Sequence, residues 1–166
     1  TLDLYGGGGV NTGCGSGTSA MGPFYCPADQ TIYIDTSFYD TLEQQLGAGG
    51  DFARYYVLAH EYGHHIQTIT GISQQIRSAQ QQNPSRRNQL QVLMELQADC
   101  YAGVWAARAA EASNGQVALE RGDMAEGLKT ANAIGDDMLQ KRSTGRVSPE
   151  GFTHGSAEQR MEWLTQ

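Results

Sequence analysis

Between residues 51 and 71 the apolar side chains Phe52, Tyr55, Tyr56, Leu58, Ala59, Ile66 and Ile69 surround a cluster of histidines. The stretch reads as one helix: Gly49-Gly50 breaks the chain before it, Asp51 can cap its first turn, and Gly71 can close its last. A second long helical stretch starts at Asn83-Pro84, with Pro at the first helical position, and runs to about Ala112 before Asn114-Gly115. Along it Ala98, Ala102, Gly103 and Ala106 make a face stripped of bulk, which lets this helix come close to the first, while Leu93, Leu96, Cys100, Val104 and Ala107 read as a core stripe. Shorter helices are expected over Ser37–Leu46 (Phe38, Leu42 and Leu46 inward), Ser73–Gln82, Gly122–Leu139 and Ser156–Leu164 (Met161 and Leu164 inward), with a loop over Gly145–Gly151. Thr31–Asp35, β-branched and aromatic between Pro27-Ala28-Asp29 and a Thr36-Ser37 helix cap, is the one clear strand. Residues 1–22, with an unbroken run from Gly6 to Gly9, read as irregular chain. The pattern predicts a mainly α domain with a minimal β component, a single unit over residues 1–166 whose first 30 residues are an irregular segment.

The first of these helices carries His60-Glu61-Tyr62-Gly63-His64. Histidines four apart lie one above the other on a helical face, so both imidazoles reach one ion, and Glu61 stands beside that ion without ligating it. This is the layout of a zinc ion with a base next to its water. A match of this kind arises by chance in roughly one chain of this length in two hundred. Histidine usage argues against chance, because His60, His64 and His65 are three of the chain's four. Catalytic zinc needs one more protein ligand, leaving the fourth position for water. Glu95 and Asp99 share a face of the second helix, so Glu95 can bind the ion while Asp99 accepts the other ring N–H of a ligating histidine, His60 first.

His60-Glu-Tyr-Gly-His-His-Ile-Gln67 together with Glu95-Leu-Gln-Ala-Asp-Cys-Tyr-Ala-Gly-Val-Trp105 resembles the putative neutral zinc metallopeptidase family of bacteria, and Met21–Asp29 and Phe152–Arg160 fit the same family. More distantly the pattern is similar to the gluzincins, among them thermolysin and the integral-membrane HtpX-like peptidases. The resemblance implies a reduced zincin-like domain, one zinc per chain on His60, His64 and Glu95, Glu61 as general base, Asp99 as the partner of a ligand, and a peptide or protein substrate. In zinc peptidases of this type the strand just before the metal helix pairs its edge with the substrate backbone, which would place that role on Thr31–Asp35. Members of the family often carry an N-terminal membrane anchor, which would lie outside this chain.

The net charge of −7 argues against nucleic acid and anionic membrane surfaces as partners. No run approaches the length of a transmembrane helix, and Thr at position 1 is read as the start of a processed or truncated ectodomain. Only 39% of residues are hydrophobic, which the 21 glycines help explain. Joining Cys14 to Cys26 closes a loop of about a dozen residues, for which chain entropy predicts roughly 3 kcal/mol of stabilisation, and the segment has little else to fix it. A disulfide there, with Cys100 a buried small hydrophobe, points to an extracytoplasmic location.

The remaining histidine, His154, lies at the mouth of the last helix. Three roles stand open: a donor steadying the oxyanion, a structural residue, or a fourth zinc ligand that would close the site. Arg160 can buttress Glu95, and Tyr62, Tyr101 and Tyr33 are further donor candidates. The expected reaction is hydrolysis of a peptide bond by a metal-activated water with Glu61 as base. A non-catalytic, zinc-stabilised envelope or interaction domain, and a zinc hydrolase of non-peptide substrates, are the competing readings.

Overall fold

In the computed structural model, which describes residues 1–45, 47–120 and 122–166, two long helices pack together at the centre. They are α2 (Asp51–Ile69) and α4 (Arg87–Ala112). Their backbones come close at Gly63, where an added Cβ would lie 3.1 Å from the Cα of Ala98. The buried face of α4 runs through Glu95, Ala98, Asp99, Ala102, Ala106 and Ala109, so small residues do line the contact. Gly103 turns elsewhere: a Cβ there would strike the carbonyl oxygen of Leu164 in α7 (Ala157–Leu164). The expected core stripe is overturned except at Leu96, since Leu93, Val104 and Ala107 are exposed and Cys100 is only half-buried. The helix buries its small residues because close backbone approach, with tight packing along the whole contact, outweighs burying a few larger side chains.

Gly71, with φ 82°, ends α2 and opens α3 (Ile72–Gln82), as the sequence predicts. Its start is different. Asp51 makes no side-chain cap, and the N–H of Phe52 donates to Glu126 Oε2 of α5 (Asp123–Ala133) at 3.2 Å, a partner 74 residues away. The single helix expected over Gly122–Leu139 is broken into α5 and α6 (Asp136–Thr144). Gly135 at the break is extended, and a Cβ on it would lie 2.4 Å from the nitrogen of Ala157, so the start of α7 packs against its backbone. A full capping box, Ser156 with Gln159, begins α7.

β5 (Thr31–Asp35) is flanked by β1 (Leu2–Tyr5), parallel, and β4 (Phe24–Cys26), antiparallel; β2 (Val10–Thr12) and β3 (Gly15–Gly17) form a separate hairpin. The first 30 residues are therefore not irregular, and β5 is not the only strand. Leu2 and Leu4 of β1 are exposed, so no alternation of buried and exposed positions marks this strand, and only the ladder to β5 defines it. β5 itself is buried at all five positions, a central strand with both edges occupied. Asp35 at its end accepts from the N–H and hydroxyl of Ser37 (2.9 and 2.8 Å), supplying the cap of α1 (Ser37–Gln44) that Thr36 does not. In α1 Leu42 joins the core with Phe38 against it, while Leu46 lies outside the described residues.

Cys14 and Cys26 form a disulfide with Cα atoms 5.8 Å apart, tying the turn between β2 and β3 to β4. The core proper gathers Leu42, Phe52, Tyr56, Val57, Ala102, Ala106, Ala131 and Leu164. Among the described residues no helix is long and apolar enough to cross a membrane.

Candidate metal centre

Where α2 and α4 meet, the ring nitrogens of His60 and His64 and the carboxylate of Glu95 come within 4.8 Å of one another. Glu95 Oε2 is 3.1 Å from His60 Nε2 and 3.3 Å from His64 Nε2. In tetrahedral coordination at about 2.0–2.1 Å the ligand atoms stand roughly 3.3 Å apart, so these two edges fit a zinc ion. The outer ring nitrogens are committed elsewhere. His60 Nδ1 is 2.8 Å from Asp99 Oδ1, a group that can only accept once ionised, and His64 Nδ1 is 2.9 Å from Gln67 Oε1, whose amide nitrogen donates to Met94 O and Gln97 Oε1. Both imidazoles therefore keep a proton on Nδ1 and direct Nε2 inward, toward a carboxylate oxygen, so that each Nε2 offers a lone pair once a metal displaces any proton it holds. Two ring nitrogens and a carboxylate oxygen facing one buried point are a donor set that fits zinc.

Charge in the surroundings is arranged to match. Burial pushes Asp99 up, but Arg160 and then His60 more than offset it and hold its carboxyl well below the usual range. Arg160 donates from Nε to Asp99 Oδ2 (2.9 Å) and from Nη2 to Oδ1 (3.0 Å), a bidentate pair with both side chains almost wholly buried. Its partner is thus Asp99 and not Glu95. Tyr56 Oη, one turn before His60, donates to the same Asp99 Oδ1 at 2.5 Å. Burial opposes a proton on His60; the Asp99 carboxylate overrides it and lifts the imidazole to about 10, so the ring holds a positive charge that metal binding would displace as a proton. Burial likewise opposes charge on Glu95, yet its contacts with His60 and His64 leave it well below the ordinary carboxylate range. The other oxygen of Glu95 accepts from Gln91 Nε2 (3.0 Å), which leaves Oε2 directed at the histidines.

Tyr56, Gln67 and Gln91 were not found from the sequence. Each sits three or four residues from a predicted site residue on its own helix, which is a signal, though polar residues at that spacing are common in any helix.

Glu61 is buried beside the cluster without joining it. It makes no hydrogen bond to another described residue, and burial, countered in part by His64 and His60, raises its pKa. It opens onto a cleft of about 710 Å³ that is also lined by His154, by Met21–Tyr25 and Pro27 around β4, and by Ser73, Arg77 and Gln80 of α3. His154 is half-exposed, with Nδ1 3.0 Å from Thr153 Oγ1 and 3.5 Å from Asp136 Oδ1. Its loop is held by backbone: Asp136 Oδ2 accepts from the N–H groups of Thr153, His154 and Gly155 at 2.7, 2.6 and 3.0 Å. His154 is not part of the converging ligand group. Tyr33, Tyr62 and Tyr101 do not line the cleft.

The family model described as putative neutral zinc metallopeptidase matches residues 1–166. The chain is 55% identical over 156 residues to the uncharacterized protein YpfJ of Escherichia coli K12, which covers 93% of this chain and 53% of that protein. It is 48% identical over 163 residues to the uncharacterized protein Mb2605 of Mycobacterium bovis, covering 94% of this chain and 54% of that one. The chain thus spans about half the length of the curated relatives it matches. No solved structure matches it.

Proposed function

The chain belongs to the putative neutral zinc metallopeptidase family, and on that premise we propose that its 166 residues are one domain that hydrolyses peptide bonds, with His60, His64 and Glu95 as zinc ligands and Glu61 as general base. The observation that carries this reading is the convergence of three ligand atoms beside a buried carboxylate free of hydrogen bonds to described residues, at the wall of an open cleft. When bound, zinc supplies Lewis acidity, polarising a carbonyl and bringing the pKa of water toward about 7. The remaining steps belong to side chains. Glu61, ionised above its raised pKa, takes the proton of the attacking water and returns it to the leaving amine. His154, lining the same cleft, donates to the oxyanion as it develops. Asp99 fixes the tautomer of His60, and Arg160 keeps Asp99 ionised.

Because β5 is enclosed on both sides, pairing with the substrate backbone falls to the outer edge of β4, whose Phe24 and Tyr25 line the cleft. The disulfide favours an oxidising, extracytoplasmic compartment. A non-catalytic zinc module would call for a fourth protein ligand, and the converging group among the described residues has three.

The reading is tested by incubating the zinc-loaded wild type and Glu61→Gln with a diverse peptide library and mapping cuts by mass spectrometry, with and without chelator. Cuts are expected from the wild type alone and without chelator. No cuts from a wild type that carries one equivalent of zinc would overturn it.

A further inference from the structure

His65 is the one histidine of α2 that the metal centre does not use. It points to the sheet. Its Nδ1 lies 2.9 Å from Tyr25 Oη, and the two rings meet edge to face with centroids 5.5 Å apart. Tyr25 is the middle residue of β4 and lines the cleft. On either side of it β4 is fixed to other N-terminal strands: Phe24 stacks on Tyr33 of β5 at 5.2 Å, and Cys26 is bonded to Cys14 in the turn of the β2–β3 hairpin. These anchors tie β4 to the strand segment of the chain and not to the helices. Among the described residues, the side-chain hydrogen bond that joins β4 to the helix carrying His60, Glu61 and His64 is that of Tyr25, to a residue covalently adjacent to His64.

We infer that His65 is a positioning residue: through its hydrogen bond to Tyr25 it registers the β4 wall of the cleft against the metal helix and so sets where an extended peptide chain lies relative to the metal. The inference rests on the peptidase reading for its consequence, but the link itself is independent of it. A peptide paired with β4 meets the ligand helix at a separation fixed by two side chains. Displacement of a bound substrate by about 1 Å is enough to cost roughly 100-fold in rate.

The test compares zinc-loaded wild type with His65→Phe, which keeps a ring and loses the hydrogen bond, Tyr25→Phe, which removes the bond from the other side, and His65→Gln, which restores a polar partner. Hydrogen–deuterium exchange of the amides of residues 24–26 reports the link without any reaction. We expect exchange there to rise about tenfold in both Phe variants, with exchange at residues 31–35 unchanged and one equivalent of zinc retained. For a peptide found by library cleavage, kcat should fall about tenfold or more with KM changed less than threefold, His65→Gln should recover most of the loss, and the double variant should be no worse than either single one. Unchanged exchange at 24–26 overturns the link. Loss of zinc on His65→Phe, or a rise in KM with kcat unchanged, overturns the positioning role. Absence of any cleavage by the wild type counts against the peptidase reading and the substrate role, while the link still stands or falls on the exchange result.

Discussion

The two sides of the cleft are built on opposite plans. At the metal centre every side chain is held by another side chain in a buried network: Asp99 alone meets His60, Tyr56 and Arg160, and Gln67 and Gln91 orient His64 and Glu95. At His154 the backbone is clamped three times by Asp136, but the imidazole itself is half-exposed and held only at 3.0 and 3.5 Å. A metal ligand loses affinity with any change of angle, so its rotamer must be set before the ion arrives. A donor needed at one moment of the reaction must be nearby, and it can turn.

The largest blow to this contrast should come from Glu61→Gln, which removes the proposed base and spares both networks: turnover is expected to fall about 100- to 10,000-fold with one equivalent of zinc retained by elemental analysis. Glu95→Ala should instead lose the metal, and that pair of outcomes separates base from ligand. Asp99→Ala strikes the buried network, leaving Arg160 charged with no carboxylate, and should cost about 3–5 kcal/mol of stability in denaturant titration, together with a loss of zinc affinity of about 10- to 100-fold. His154→Ala should behave in the opposite sense, lowering kcat about 100- to 1000-fold with zinc content and melting temperature little changed. A large drop in melting temperature for that variant would make the loop structural and erase the contrast. Asp136→Ala, which removes the acceptor of three N–H groups at a half-exposed site, should cost about 1–2 kcal/mol and reduce kcat by less than His154→Ala does.

Acid separates the groups by sign. Asp99 and Asp136 have lowered pKa values, so the stability they contribute is present at neutral pH and is lost as pH falls below the ordinary carboxylate value of about 4 toward their folded values. Glu61 runs the other way. Its pKa is raised, so its contribution to stability is full at acid pH and is lost as pH rises through the folded value, while its action as a base begins only above that value. The acid limb of kcat/KM is therefore expected above the usual glutamate range and should be missing from the residual rate of Glu61→Gln.

What the sequence determined by itself is what helical spacing fixes locally. His60 and His64 four apart, and Glu95 and Asp99 four apart, must each share a face wherever a helix forms, so the donor set was legible before any fold was known. Gly71, with its left-handed backbone, and the last helix starting near Ser156 were legible from local signals as well. The small face of α4 at Ala98, Ala102 and Ala106 was legible too, but tertiary structure alone decided that the stripe through Leu93 and Val104 is left in solvent. It also decided that Glu126 and not Asp51 caps α2, that Arg160 serves Asp99, and that β1 lies along β5 with Leu2 opposite Ile32. Each of these joins groups some 30 to 74 residues apart through a hydrogen bond or a backbone contact. Any acidic, basic or extended residue could supply such a contact, so its identity appears only when the chain has closed on itself.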